Sequence, residues 1–387
     1  MERVSVGTDT GWSRAAGESS GRWRTILDRA AGRARVPGAE ADQAPPATPA
    51  TANPPAPPYQ QAYPAGQYPA AGGYPGSPAP AVGAGQYGPG QSPAAYPAPY
   101  QQSGLPQRSG SAAPLGIVPA PGSPAERAVA ILRRNLDTPR VIAFANPKGG
   151  VHKTTATVLA AAAIGGARGR GVVAWDDNEL RGTLGLRAGS ARHARTIRHL
   201  VSELAEVELN TGPALAARID DFLRHASDGT YDVLAGEEDP RFAWRLDPPT
   251  VRRVLDLLTR THEVICVDTG NNVESGNWRT IMEAADQLVI TTVPREDSAF
   301  SADWMMDVLT EAGRDELVAN AVTIISMTTP RPGPMQDDLI RHFRSRNRAV
   351  CVVPYDPVLE QGGWIDHTAL APATREAWLL AAAVILE

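Results

Sequence analysis

Only two cysteines occur, Cys266 and Cys351, each inside a short apolar run, so neither a disulfide framework nor a cysteine metal site is in prospect. No stretch approaches the roughly 18 consecutive apolar residues of a membrane span, and the opening "MERVSVGTDTGWSR" has no apolar run of the kind a secretory signal carries. A cytoplasmic protein is therefore expected. Charge is missing altogether between Asp42 and Arg108, where Pro, Ala, Gly, Gln and Tyr fill nearly every position. With almost no branched aliphatic side chains, that stretch cannot bury enough apolar surface to offset the roughly 1–2 kcal/mol per residue that backbone ordering costs. Residues 1–122 are accordingly expected to be a disordered Pro/Ala/Gly/Tyr-rich tail. Seven of the nine tyrosines sit in it, at Tyr59, Tyr63, Tyr68, Tyr74, Tyr87, Tyr96 and Tyr100. Proline-rich extended chain leaves such rings exposed as contact points for a protein partner, with a plain spacer as the alternative. Ahead of it, "GRWRTILDRAAGRA" has the pattern of one short helix.

From Ser123 onward the composition changes to Val, Ile, Leu and Ala. Ser123, Pro124 and Glu126 form a helix start: a capping hydroxyl, a proline at the first position and a carboxylate three residues on. Short β-branched runs then alternate with helical periodicity. The expected strands are Arg140–Ala145, Gly171–Trp175, Tyr231–Ala235, Glu263–Asp268, Gln287–Thr292, Ala321–Ser326 and Ala349–Val353. Continuous apolar strands separated by helices imply an α/β, doubly wound, mostly parallel sheet of about seven strands with helices on both faces. Ligands of such sheets bind at the carboxyl ends of the strands.

One turn carries the chemistry. "VIAFANPKGGVHKTT" places a glycine-containing loop directly between a strand and a helix, the context that gives a phosphate-loop pattern its meaning. The N–H groups of Gly149, Gly150, Val151, His152, Lys153 and Thr154 would surround a phosphate at the positive end of the helix, and Lys153 would reach the outer phosphates. Thr154 would offer its hydroxyl to Mg²⁺, with Thr155 beside it for another phosphate oxygen. His152 stands where such loops usually have glycine. Histidine keeps the N–H and accepts positive φ more readily than most residues, at a cost on the order of 1–2 kcal/mol. Its ring is expected to point out of the loop, where it could gain charge beside a triphosphate.

The usual leading glycine is replaced by Pro147, and Lys148 precedes the glycine pair. In this respect "KGGVHKTT" resembles the deviant phosphate loop "KGGVGKTT" of the ParA/MinD family of dimerising ATPases. The resemblance covers roughly residues 138–387 and implies an ATP-dependent homodimer in which Lys148 crosses to the partner's nucleotide. It makes Asp268 of "VICVDTGNN" the strand-end carboxylate that holds Mg²⁺ with Thr154. "VVAWDDNELRGTLG" departs further from the family's D-x-D-P pattern. With Asp176 as the first carboxylate, Asn178 takes the water-positioning place, which implies slow hydrolysis; a slip of one residue would put Asp177 there. "VVPYDPVLEQGG" is similar to the family's late I-P-x-D turn, which makes Pro354 and Asp356 neighbours of the base.

The Tyr/Pro-rich tail ahead of a single such domain looks like the actinobacterial members associated with type VII secretion, whose apparatus would then be a partner. Two alternatives stay open. A partition-type member would bind DNA non-specifically through "ARHARTIRH" at 191–199 or "RHFRSRNR" at 341–348, although a net charge of −5 gives no global argument for it. A catalytically impaired scaffold would recruit partners through the tail alone. The terminal "PATREAWLLAAAVILE" has no basic cluster and reads as a packed helix rather than a membrane-surface one.

Overall fold

A computed structural model describes residues 113–169, 171–178, 182–190, 195–237 and 246–387. The tail and its tyrosines, the helix pattern at residues 21–34, and residues 191–194 of the first basic run lie outside the described residues. No described helix is long and apolar enough to cross a membrane.

Eight strands form one sheet: β1 (Arg140–Ala145), β2 (Val172–Asp177), β3 (Arg224–His225), β4 (Asp232–Leu234), β5 (Val264–Thr269), β6 (Gln287–Thr292), β7 (Val322–Ser326) and β8 (Ala349–Val353), in the order β3-β4-β2-β5-β1-β6-β7-β8. Every neighbouring pair is parallel except β3 on β4. The expected seven strands are all present, three of them with the expected bounds. The eighth, β3, is two residues long and has no periodicity for a sequence to display; it exists because Arg224 and His225 pair with Val233 and Asp232. Strand β2 runs two residues beyond Trp175, taking both aspartates into the sheet.

Alternation along the strands divides the core into two layers. Val141, Ala143 and Ala145 of β1 face one layer, with α7 (Pro248–Thr261), α8 (Gly276–Ala284) and α9 (Glu296–Glu311). Ile142 and Phe144 face the other, with α1 (Pro124–Leu132), α2 (Lys153–Arg168) and α13 (Pro372–Leu386). In chain order α3 (Leu184–Arg187), α4 (Ile197–Ser202), α5 (Leu204–Glu208), α6 (Gly212–Asp220), α10 (Asp315–Ala319), α11 (Met335–Arg344) and α12 (Pro357–Glu360) complete the set. Helix α13 buries Trp378 and Leu379 completely, so the terminal helix is a packed one.

The ordered chain reaches further towards the amino terminus than Ser123. A short 3-10 turn at Pro114–Gly116 buries Leu115 to 1% exposure and lies against α2. Ser123 caps α1 by accepting from the Glu126 N–H, while the Glu126 carboxylate accepts from Gly122 N at 2.6 Å, one residue earlier than a capping box would place it.

Candidate nucleotide site

Strands β1, β5 and β2 are adjacent, and Phe144, Asp268 and Asp176 lie at one level near their carboxyl ends. The loop Asn146–His152 leaves β1 there and enters α2. Gly150 has φ 76° and His152 φ 65°, ψ 27°, so the histidine adopts the left-handed conformation that the glycine-for-histidine exchange requires. Among the described residues only Leu115 and His152 do so without being glycine. Helix α2 has no side-chain cap: no described protein acceptor takes the N–H groups of Gly149 through Thr155. Seven donors around the amino end of a sixteen-residue helix make an anion site of partial positive charge.

The loop is anchored by a residue the motif does not single out. Asn146 is fully buried; its amide donates to the carbonyls of Thr291 (2.8 Å) and Ser298 (3.2 Å), and its Oδ1 accepts from Lys148 N (2.9 Å). Lys153 turns its ammonium onto the loop itself, donating to the carbonyls of Asn146 (2.9 Å) and Lys148 (3.2 Å) and to Oδ1 of Asn271. Burial lowers its pKa, against the raising effect of Asp268. Asn271 follows Asp268 by three residues, and nothing local marks its carboxamide as a partner for a lysine 118 positions away. Lys148 does not extend freely: it pairs with Asp297 on α9 at 3.1 Å, both side chains about two-fifths exposed.

Thr154 Oγ1 donates to Asp268 Oδ2 at 2.6 Å. Asp268 Oδ1 is buried and has no hydrogen-bond partner among the described residues. Burial first, then the neighbouring Asp176, pushes the Asp268 carboxyl up to about 7. A hydroxyl and an incompletely satisfied buried carboxylate, next to a cradle of N–H donors, are the donor set that Mg²⁺ with a polyphosphate takes. The residues present therefore fit both groups.

Asp176 stands near the end of β2, level with Asp268. Its Oδ1 accepts from Asn178 N (3.1 Å) and its Oδ2 from Leu184 N (2.9 Å), so both oxygens fix the turn that leaves β2. A Cβ on Gly182 would meet Oδ2 at 2.5 Å and one on Gly236 would meet Cγ at 3.1 Å, so the carboxylate is tightly enclosed. Asp177 is buried and Asn178 is exposed. Pro354 is half-buried. Asp356 caps α12 through Val358 N (3.0 Å) and also accepts from Ala371 N (2.9 Å), giving it a turn-fixing role.

His152 is corrected in one respect. Its ring is partly buried, and burial, then the charge of Arg187, lowers its pKa. Arg187, on α3, is 8% exposed and was not singled out by any motif. It donates to Thr155 Oγ1 (2.8 Å), Gly363 O (2.7 Å) and Leu359 O (3.3 Å), tying the first turn of α2 to the segment after β8.

Among the described residues, several arginines of the basic runs pair within the chain. Arg195 meets Glu203 at 3.5 Å and Arg198 meets Glu237 at 2.9 Å. Arg341 pairs with Asp338, Arg346 with Asp303 and Asp307, and Arg348 donates to Gln287 and to the Val384 carbonyl.

No family model and no curated protein matches this chain. Solved structures do. A ParA-family ATPase from Chlorobium tepidum superposes with a TM-score of 0.52 at 17% identity, over 64% of this chain and 97% of that one. The cell-division ATPase MinD of Pyrococcus furiosus gives 0.47 at 20% identity over 63% and 98%, and the Pyrococcus horikoshii MinD solved with Mg-ADP gives 0.47 at 20% over 63% and 94%. At these identities the likeness concerns architecture: the described residues carry a mostly parallel sheet with helices on both faces, matching the ParA/MinD phosphate-loop fold.

Proposed function

We propose that this chain is a Mg²⁺-dependent, ATP-binding switch with slow hydrolysis. The observation that carries the reading is the row of backbone donors from Gly149 to Thr155, without protein acceptors and set between β1 and α2. Those N–H groups and Lys153 would hold the phosphates, and Thr154 and Asp268 would hold the cation. Mg²⁺ supplies charge neutralisation between phosphate oxygens when bound. What the chain itself contributes is positioning: Asn146 sets the loop against β6 and α9, Arg187 sets Thr155, and Asn271 holds Lys153 in place.

Slow turnover follows from the β2 turn. Asp176 has both oxygens engaged by backbone N–H groups, and the residue two positions on is the neutral Asn178, a weaker orienting group for a water than a carboxylate; the buried Asp177 between them is the alternative. Lys148 is half-exposed on an ion pair with Asp297 that is easily exchanged, which suits a role across a homodimer. Action in the cytoplasm, at a type VII secretion apparatus or another positioned cargo, is the finer reading, resting on the tail's composition and the "WDDNELRGTLG" segment.

The test is equilibrium binding of a fluorescent ATP analogue with Mg²⁺, followed by phosphate release and size-exclusion chromatography. Binding lost in Lys153→Ala, with dimer formed only in ATP, is the expected result. Wild-type protein that binds no nucleotide would overturn the proposal.

A further inference from the structure

At the opposite, amino-terminal side of the sheet lies a cluster that the nucleotide site does not use. Asp220 ends α6, His225 is on β3, Asp232 opens β4, and His262 follows α7 just before β5. One ligand atom each from Asp220, His225 and Asp232 lie within 4.8 Å of one another. His225 Nδ1 is 2.7 Å from Asp232 Oδ1, and its Nε2 is 4.0 Å from Asp220 Oδ1. His262 approaches the other oxygen of Asp232, Nε2 to Oδ2, at 3.5 Å.

The His262 ring supplies a second, independent observation. Its side chain is only 7% exposed, and its Nδ1 is 2.9 Å from Thr261 Oγ1. The Thr261 hydroxyl hydrogen is already directed at the carbonyls of Leu257 (2.9 Å) and Leu258 (3.2 Å). Thr261 is thus an acceptor for His262, which places the ring hydrogen on Nδ1 and turns the Nε2 lone pair towards the Asp232 carboxylate. A lone pair facing a carboxylate in a nearly buried place is repulsive unless a cation, a proton on Nε2 or a metal ion, stands between them. An imidazole whose outer nitrogen donates to a hydroxyl while its inner nitrogen faces carboxylates has the orientation of a metal-bound histidine.

We propose that Asp220, His225, Asp232 and His262 bind one divalent transition-metal ion of the zinc class. Two imidazoles and two carboxylates match the tetrahedral N/O set of Zn²⁺, whose bonds of about 2.0–2.2 Å require ligand atoms about 3.3 Å apart. The separations among Asp220, His225 and Asp232, at most 4.8 Å, and that of His262 from Asp232, 3.5 Å, reach that with ångström-scale shifts. Mg²⁺ prefers an all-oxygen shell, so the cation of the nucleotide site does not compete here. The ion joins α6, the two-residue edge strand β3, β4 and the end of α7, which otherwise meet through side chains and one short antiparallel pairing.

The experiment uses the full chain without an affinity tag, stripped with chelator and freed of it, in nucleotide-free buffer. Calorimetric titration with Zn²⁺ is expected to give one ion per chain, and Co²⁺ the intense visible absorption of a tetrahedral site. His225→Ala, at an exposed ring, and Asp220→Asn are each expected to weaken binding by about 10-fold or more, while His367→Ala leaves it unchanged. Zn²⁺ should raise the melting temperature of the wild type and not of His225→Ala. Absence of stoichiometric binding, or affinity unchanged in both His225→Ala and Asp220→Asn, overturns the proposal and leaves the cluster an ion-pair network.

Discussion

Thr154 Oγ1 donates to Asp268 Oδ2 across 2.6 Å, joining the first turn of α2 to the end of β5. The two residues are brought together by the adjacency of β1 and β5, and each offers an oxygen to the same point. Thr154→Ala should lose most of the Mg²⁺ dependence of ATP-analogue binding, so that titrations with and without EDTA coincide. Thr154→Ser keeps the hydroxyl and should restore it. A Thr154→Ala protein with undiminished Mg²⁺ dependence would remove this pair from the cation site.

The Asp268 carboxyl, raised from 3.8 to about 7, makes a pH prediction. An acid whose folded pKa lies above its unfolded one binds more protons when folded, so stability falls as pH rises through that interval. Nucleotide-free protein should therefore melt at lower temperature at pH 7 than at pH 5, other groups being equal. Mg²⁺ needs the ionised carboxylate, so its affinity should climb towards pH 7 and then level. Asp176→Asn removes a like charge from beside Asp268 and should move that break to lower pH; an unmoved break would show burial acting alone.

Gly165 lies mid-helix in α2, where alanine is normally better by about 1 kcal/mol. A Cβ there would meet the Thr230 carbonyl oxygen at 2.2 Å, against backbone that cannot swing away. Gly165→Ala should accordingly destabilise, whereas an exposed helical glycine would give the opposite sign. Chemical denaturation monitored by circular dichroism decides it.

His152 holds a left-handed conformation that costs an ordinary residue about 1–2 kcal/mol, against roughly 0.5–1 kcal/mol for the unfolded freedom of glycine. His152→Gly should thus be neutral to slightly stabilising and bind nucleotide as well as the wild type. His152→Val should be clearly less stable than both, and a valine variant as stable as wild type would contradict the strained backbone.

Arg187 satisfies three acceptors while nearly buried, so Arg187→Met should destabilise by about 2–4 kcal/mol. The same change removes a charge that depresses the His152 ring. An upward move of the His152 titration by NMR, together with the lower melting temperature, is the expected pair of results.

The parts of the site that share one continuous segment could be found in the sequence, since strand, loop, Lys153 and Thr154 lie within a dozen residues. Asp268 was found because it ends an apolar strand. Asn146, Asn271 and Arg187 were missed for a common reason: each acts on a partner brought close only by the sheet order, and their own neighbourhoods carry no pattern. The two-residue β3 is likewise created by its partner, and Leu115 is core only because α2 passes over it. Asp176 was visible as a residue but not as a turn anchor, because its donors Asn178 and Leu184 take position only after β2 has extended past it.

The ammonium of Lys153 has a consequence for affinity. It is held by two carbonyls of its own loop and by Asn271, which together imitate the oxygens a phosphate would present. A nucleotide bound as proposed would compete with an internal ligand and exchange three hydrogen bonds rather than fill an idle charge. The loop keeps its shape by gripping its own lysine, and whatever those bonds contribute to the free protein is subtracted from the strength with which a nucleotide would be held.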